Sequence, residues 1–459
     1  MSMQGKQMGP LTQETLPEAL RHIVLDFMQM EEFIKEPFIV ARADGIRFWD
    51  IHGKEYLDGL AGVYVVNVGH NNRRVIDAMK TQLDTLAFAP PLHATTPPAI
   101  ELARLLAAIA PGDLNTVKLL SGGSEALEVA IKMTKQYHRQ TGNPLKHKFI
   151  SLYGSYHGAT QGALSATGAK SRKTIFEPMA IGFLHAHPPY CYRCHFEKTY
   201  PSCNLTCARI IEDTIVAEGP ETIAGLIVEP VINTAGIVAP PPEYFPILRE
   251  ICDRHNVVLI FDEIITGFGR TGRLFGADTY HTVPDILCCG KGMSSGYAPL
   301  AATICRDHIA AAFRGRTEDR VEFHHGHTYG GNPVASAAGL ASIQEILDRR
   351  LPENAQKVGE RAKQMLAEQL RPLGVVGEIR GHGLMIGVEL VRDPATKARF
   401  DERLAFGKRV GKTALRNGLL LRSEANWVAF APPLIVTEED MKAMVDILAA
   451  SVREVLKTM

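Results

Sequence analysis

Membrane-length apolar runs, a surplus of one charge, a cysteine content high enough for a disulfide scaffold and internal repeats are all missing from this 459-residue chain. No stretch approaches the roughly 20 apolar residues of a membrane-spanning helix. The first forty residues lack a basic segment followed by an apolar one, so a soluble, cytoplasmic protein with no membrane partner is expected. Fifty Lys and Arg residues are matched by fifty Asp and Glu, which removes the electrostatic case for nucleic acid or an anionic bilayer as partner. Eight cysteines at this length do not suggest a disulfide scaffold. What is present is 46% hydrophobic content, enough for a large core in more than one domain.

The most informative segment is Val257-Val258-Leu259-Ile260-Phe261-Asp262-Glu263, followed 29 positions after Asp262 by Lys291 in Gly290-Lys291-Gly292. The apolar run reads as a strand covered on both faces, and Pro284 to Cys289 reads as a second, shorter one. A carboxylate thus ends one buried strand and a lysine ends what is expected to be the next. An acidic pair at a strand end also fits a solvated terminus or a helix cap. A lysine in a small-residue, buried setting is costly unless its charge is used or its pKa lowered. The pair suits pyridoxal phosphate chemistry, in which a lysine amine forms a Schiff base and a carboxylate keeps the ring nitrogen protonated.

Around this pair, strand-like and helix-like segments alternate from about residue 75. Strands are expected at 117–120, 149–153 and 223–229, with helices at 124–138 and 244–255. That alternation predicts an α/β domain with a mostly parallel sheet. A hairpin is expected over Phe38–Asp50 with Asp44-Gly45 at its turn. The segments 379–390, 419–422 and 427–430 read as strands of a smaller α+β unit, and Thr437 with Asp440 has the spacing of a capping box opening a last helix.

The stretch Phe261 to Gly272 (FDEIITGFGRTG), then Pro284-Asp285 and Gly290-Lys291-Gly292, resembles the signature of class III aminotransferases, which are fold type I pyridoxal phosphate enzymes. More narrowly it resembles the ω-transaminases, which move amino groups from amines, diamines or ω-amino acids to pyruvate or a similar keto acid. The resemblance runs from about Phe38 to the C-terminus. It implies a large cofactor-binding domain at 71–330 and a small domain built from 1–70 and 331–459. It also implies an obligate homodimer with shared active sites.

Several further motifs take on roles through this likeness. Gly123 and Ser124, between a strand and a helix, fit an anion cup at a helix N-terminus; a capped Gly-rich turn is the plainer alternative. Tyr156, before His157-Gly158, matches the residue that lies over the pyridine ring, although a lone tyrosine is more often core. Ile264 would press on the other face, and Glu229 would sit near the ring and Asp262. Thr328, in a run with three histidines at 324, 325 and 327, matches the threonine that reaches the partner's cofactor phosphate. Arg422 matches a mobile arginine that binds the keto acid carboxylate, and Tyr64 stands where amine-accepting relatives often carry tryptophan.

One segment falls outside the family pattern. Cys191, Cys194, Cys203 and Cys207 are spaced C-x2-C-x8-C-x3-C, which suits a structural zinc as well as packed free thiols. Cys252, Cys288, Cys289 and Cys305 lie in apolar runs and read as core. The expected reaction is transamination through Lys291, with a same-fold aminomutase or decarboxylase as the alternative and a non-enzymatic binding protein as a third, less favoured, reading.

Overall fold

Among the described residues fifteen strands form three sheets, and the order in which the strands of the largest one pair brings Asp262 and Lys291 to one end of it. The structure, a computed structural model, describes residue 12 and residues 14–459. Residues 1–11 and 13, part of the polar N-terminal segment and of the expected 1–70 unit, lie outside the described residues. The hairpin appears as β1 (Val40–Asp44) and β2 (Arg47–Asp50), extended by β3 (Glu55–Asp58). Gly45 takes a left-handed φ of 55° at the turn, as a tight two-residue connection requires.

The central sheet holds β4 (Leu114–Leu120), β5 (Lys148–Leu152), β6 (Phe183–Ala186), β7 (Ile223–Val228), β8 (Val258–Asp262), β9 (Ile286–Cys289) and β10 (Ala301–Arg306) in the order β4-β10-β9-β8-β7-β5-β6. Only β10 runs antiparallel, to both neighbours. Every residue of β7, β8 and β9 is buried, as expected of a parallel sheet covered by helices on both faces. One cover is the helix Gly123–Gln140, whose Ala126, Leu127, Ala130 and Met133 are buried. Cys252, Cys288, Cys289 and Cys305 are buried free thiols.

The C-terminal third adds β11 (Val376–His382), β12 (Met385–Leu390), β13 (Leu419–Leu420), β14 (Arg422–Glu424) and β15 (Trp427–Phe430). The segment expected as strand at 379–390 is two strands of a hairpin folded back at Gly383, where φ is +52° and an added Cβ would sit 2.5 Å from the Gly272 nitrogen. Between Leu420 and Arg422 the chain changes sheets. Leu419 pairs in parallel with Leu57 of β3, whereas Arg422 pairs with Ala429 of β15. The last helix, Glu438–Leu456, carries the expected capping box between Thr437 and Asp440. No helix among the described residues is long and apolar enough to cross a membrane.

Candidate active site

In a parallel sheet, the loops following the carboxyl ends of the strands face one crevice, where ligands of such folds bind. Ser121–Ser124 follows β4, Tyr153–His157 follows β5, Glu229 follows β7, Asp262 ends β8 and Lys291 follows β9. Strand neighbours β8 and β9 bring Asp262 level with Cys288, so 29 positions of sequence collapse into a short spatial step. Val228 pairs with Phe261, and Glu229 therefore stands beside Asp262.

Asp262 is buried and held on both oxygens. Its Oδ1 accepts from the Ile264 backbone N–H at 3.2 Å, and Oδ2 lies 2.8 Å from Nδ1 of buried His157. An ionised carboxylate only accepts, which fixes the proton on Nδ1. The other ring nitrogen of His157 is buried with no hydrogen-bond partner among the described residues. His157 is in turn placed by its own backbone N–H, which donates to Thr167 Oγ1 at 2.9 Å. Glu229 Oε1 accepts from the Tyr156 N–H at 2.9 Å and Oε2 from the Asn233 N–H at 3.2 Å. Burial pushes its carboxyl up to about 7; His157 opposes the rise and Asp262 adds to it.

Lys291 opens the short turn Lys291–Met293 with a left-handed φ of 42°. A non-glycine residue there stores backbone strain, a feature that concentrates at functional sites. Burial lowers its amine below the ordinary lysine value; Asp262 and Glu229 pull it back up and Arg422 adds to the lowering. Its neighbour Gly292 is confined by Asn67, whose amide nitrogen occupies the place a Cβ would take. Asn67 also accepts from Arg270 Nη2 at 2.7 Å. Arg270, fully buried, donates through Nη1 to the carbonyls of Pro432 and Leu384 at 2.5 and 3.2 Å. The arginine of the FDEIITGFGRTG run thus ties the loop after Asp262 to N-terminal and C-terminal segments.

Gly123, Ser124, Tyr156 and Ile264 gather at the same crevice. Ser124 Oγ accepts from the Ala159 N–H at 3.0 Å, and Gly158, at φ +140°, leaves it room: a Cβ there would meet Ser124 Oγ at 2.5 Å. Ile264 reaches the helix start, its Cδ1 being 3.1 Å from where a Gly123 Cβ would be. The first-turn N–H groups of that helix have no partner within it. Tyr156 is half-buried and feels the charges of Arg172, Asp26 and Asp262. Tyr64 is buried at φ +65° with no hydrogen-bond partner for its hydroxyl at ordinary distance among the described residues, and of the charges acting on it that of Arg422 has the largest effect.

Thr328 is not brought to this crevice. It is exposed, within the turn His327–Gly330, beside a groove of about 540 Å³ lined by residues that include Leu92, Ile100, Lys118 and His327. His325 Nε2 and His327 Nε2 are 2.7 Å apart and Lys132 meets His325 Nδ1 at 2.8 Å.

The zinc expectation is corrected. The cysteines at 191, 194, 203 and 207 line one cavity of about 20 Å³, yet no group of three or more His, Cys, Asp or Glu among the described residues is arranged to hold a metal ion. Other contacts fix this segment: Tyr190 and Arg193 both hydrogen-bond buried Glu389, at 2.6 and 2.7 Å. Burial, with neighbouring thiols adding, pushes Cys207 up to about 12, which keeps it a protonated thiol.

Sequence reasoning missed three participants: His157 as the partner of Asp262, Arg270 as the buried tie, and Arg172 beside Tyr156. Only His157 carried a local signal, its place in Tyr156-His157-Gly158.

A pyridoxal phosphate group fits the residues present. A helix start with room at Gly122, where an added Cβ meets nothing within 4 Å, suits its phosphate. A buried carboxylate for its nitrogen and a lysine with a lowered amine complete the set.

The family described as Aminotransferase class-III matches residues 30–452 of the chain. A protein of Mycobacterium tuberculosis described as a probable aminotransferase is 41% identical over 433 residues, 93% of this chain and 92% of that one. A thermostable (S)-enantioselective omega-transaminase from Thermomicrobium roseum superposes with a TM-score of 0.91 at 38% identity, covering 96% of this chain and 98% of that one. An amine transaminase from an uncultivated Pseudomonas species, solved with pyridoxal phosphate bound, gives 0.89 at 36% identity, covering 94% and 97%.

Proposed function

The chain belongs to the class III aminotransferase family and carries out pyridoxal phosphate-dependent transamination, and on that premise we propose that it moves amino groups from amines, diamines or ω-amino acids to pyruvate or a related keto acid through Lys291. The observation that carries the assignment of roles is the lowered Lys291 amine beside Asp262 and Glu229 at the carboxyl ends of adjacent strands, with Arg422 reaching it from another sheet. When bound, pyridoxal phosphate supplies an electron sink for the substrate carbon. Asp262, oriented by His157, keeps the ring nitrogen charged. Lys291 holds the reacting proton and returns it as general base and acid. Gly123 and Ser124 take the phosphate at the helix start, while Tyr156 and Ile264 form the walls for the ring. Arg422 offers its fork to the keto acid carboxylate, with Tyr64 closing the pocket beside it.

Two assembly statements belong to the same proposal. Residues 71–330 form the large domain, and 1–70 with 331–459 the small one; the pairing of Leu419 with Leu57 supports the second. The protein is a homodimer in which Thr328 serves the phosphate of the second copy. Its exposure, and that of Leu92, Phe88 and Tyr329 around the same groove, supports a covered apolar face.

The decisive experiment is to follow the visible absorption of the cofactor-loaded enzyme during titration with amines, diamines and ω-amino acids. The band is expected to disappear with productive donors and return with pyruvate. A band that no donor shifts would favour the aminomutase or decarboxylase reading.

Glu229 yields a pH prediction. Its carboxyl, raised from 4.5 to about 7, is a destabilising group when ionised: stability falls as pH rises from 4.5 towards 7 and stays reduced above that. Glu229→Gln is therefore expected to raise the melting temperature above pH 7, with no gain below pH 4.5. The limb of the pH–rate profile near pH 7 should move or flatten in the same variant; an unchanged limb would remove Glu229 as its source.

A further inference from the structure

Two guanidinium groups border the crevice: that of Arg172 donates no hydrogen bond among the described residues, and that of Arg422 approaches the Tyr64 hydroxyl alone. Arg172, in the short helix Lys170–Lys173, has its charge felt by Tyr156. Arg422, on β14, has its charge felt by Lys291 and Tyr64. Their side chains are only 22% and 16% exposed. Each guanidinium carries five N–H donors in a planar fork, so their donor capacity is almost wholly unused.

What each does touch is shared. Arg172 Nη2 lies 4.0 Å from Glu424 Oε1, and Arg422 Nη2 lies 3.8 Å from the same oxygen. The two terminal nitrogens can be no farther apart than those distances laid end to end. Phe27, from the N-terminal segment, stacks on Arg172 with its ring centre 4.0 Å from the guanidinium carbon, and Trp427 lies 5.3 Å from that of Arg422. Stacking occupies a guanidinium face and leaves its in-plane donors free. Lys408 adds a third cation 3.8 Å from Glu424 Oε2. One carboxylate thus faces three cations, and the surplus is positive.

We propose that Arg172 recognises a carboxylate remote from the reacting amine, so that the donor is an ω-amino acid and not a neutral amine. The inference rests on the transaminase reading and names its donor class. Arg422 receives the carboxylate next to the reacting carbon of the keto acid. Arg172, which shares Glu424 with Arg422, receives one separated from the amine by a short carbon chain.

The test compares β-alanine and 4-aminobutyrate with propylamine and butylamine as donors to pyruvate, in the cofactor-loaded wild type and in Arg172→Gln and Arg172→Lys. The wild type is expected to show higher kcat/KM for the ω-amino acid of each length-matched pair. In Arg172→Gln that preference should fall about tenfold or more, the scale of one lost charge-assisted contact, and the change should lie in KM. Arg172→Lys should recover part of it, since the charge is kept and the fork lost. A wild type that prefers the neutral amines would overturn the proposal even if the variants fail to fold. So would a preference that Arg172→Gln leaves intact, or a loss in Arg172→Gln seen only when 2-oxoglutarate replaces pyruvate. If no donor of either kind converts pyruvate to alanine, transamination itself fails, and the result is distinguishable from a failure of carboxylate recognition alone.

Discussion

Lys291→Ala is expected to lower kcat by about 10⁴-fold or more while leaving the fold intact. Positioned proton transfer contributes roughly 10² to 10⁴ in rate, and this variant also removes the covalent anchor of the cofactor. The stability of the cofactor-free protein should move the other way. The Lys291 amine is lowered chiefly by burial, so between its folded value and 10.5 the unfolded chain binds more protons than the folded one. Stability therefore rises with pH across that window, and below it the lysine costs stability. Removing it should hold or raise the melting temperature at neutral pH, as expected when a group is kept for activity against its own burial. A small added amine should restore part of the lost rate. Turnover within tenfold of wild type would exclude Lys291 as the acting base, and a large fall in melting temperature would instead mark the lysine as structural.

The fold and the central pair were legible because both rest on local patterns. A fully apolar strand such as β8 announces burial on two faces, and its first charged residue marks the exit to the crevice. Since β9 follows β8 in both sequence and sheet, the reading that put Asp262 and Lys291 on neighbouring strand ends needed no long-range information. Helix starts at Gly123 and Glu438 were likewise signalled by residues within a turn of them. The hairpin at Gly383 was blurred, because glycines at 381, 383 and 387 sit in a strand-like run and only the close approach to Gly272 shows which one turns the chain.

Other features were illegible because they arise only when distant segments meet. Arg172, Phe27 and Glu424 come from three separate parts of the chain, and none has a neighbour in sequence that hints at the others. Arg270 looks like one more charged residue among glycines until its donors are seen to span Asn67, Leu384 and Pro432. The cysteine spacing misled for a related reason. Regular spacing shows that thiols can approach one another, which they do around one small cavity, but ligand geometry depends on directions set elsewhere, here by Tyr190 and Arg193 docking on Glu389.

Asp262→Asn separates charge from shape at the centre of the site. The amide oxygen can still accept from the Ile264 N–H, and the amide nitrogen can donate to His157 if the imidazole moves its proton to Nε2. That ring nitrogen now has no partner, so the proton would be left unpaired, and the variant should lose a little stability as well as activity. The larger loss is electrostatic. Without the negative charge the cofactor ring is no longer held as a cation, and kcat should drop on the order of 10² to 10³-fold, the scale seen when one preorganised charge-stabilising contact is removed. Two neighbours report the same change independently of turnover. Asp262 raises both the Lys291 amine and the Glu229 carboxyl, so both should titrate lower in the variant. For Lys291 this is read from the pH dependence of cofactor uptake by the apoenzyme, and for Glu229 from the pH–rate limb near pH 7. His157→Phe, which keeps the charge of Asp262 but frees the side chain to turn, should lose less rate than Asp262→Asn. If the two variants lose equally, orientation and not charge is what Asp262 contributes; if Asp262→Asn shifts neither titration, the carboxylate does not act on this cluster.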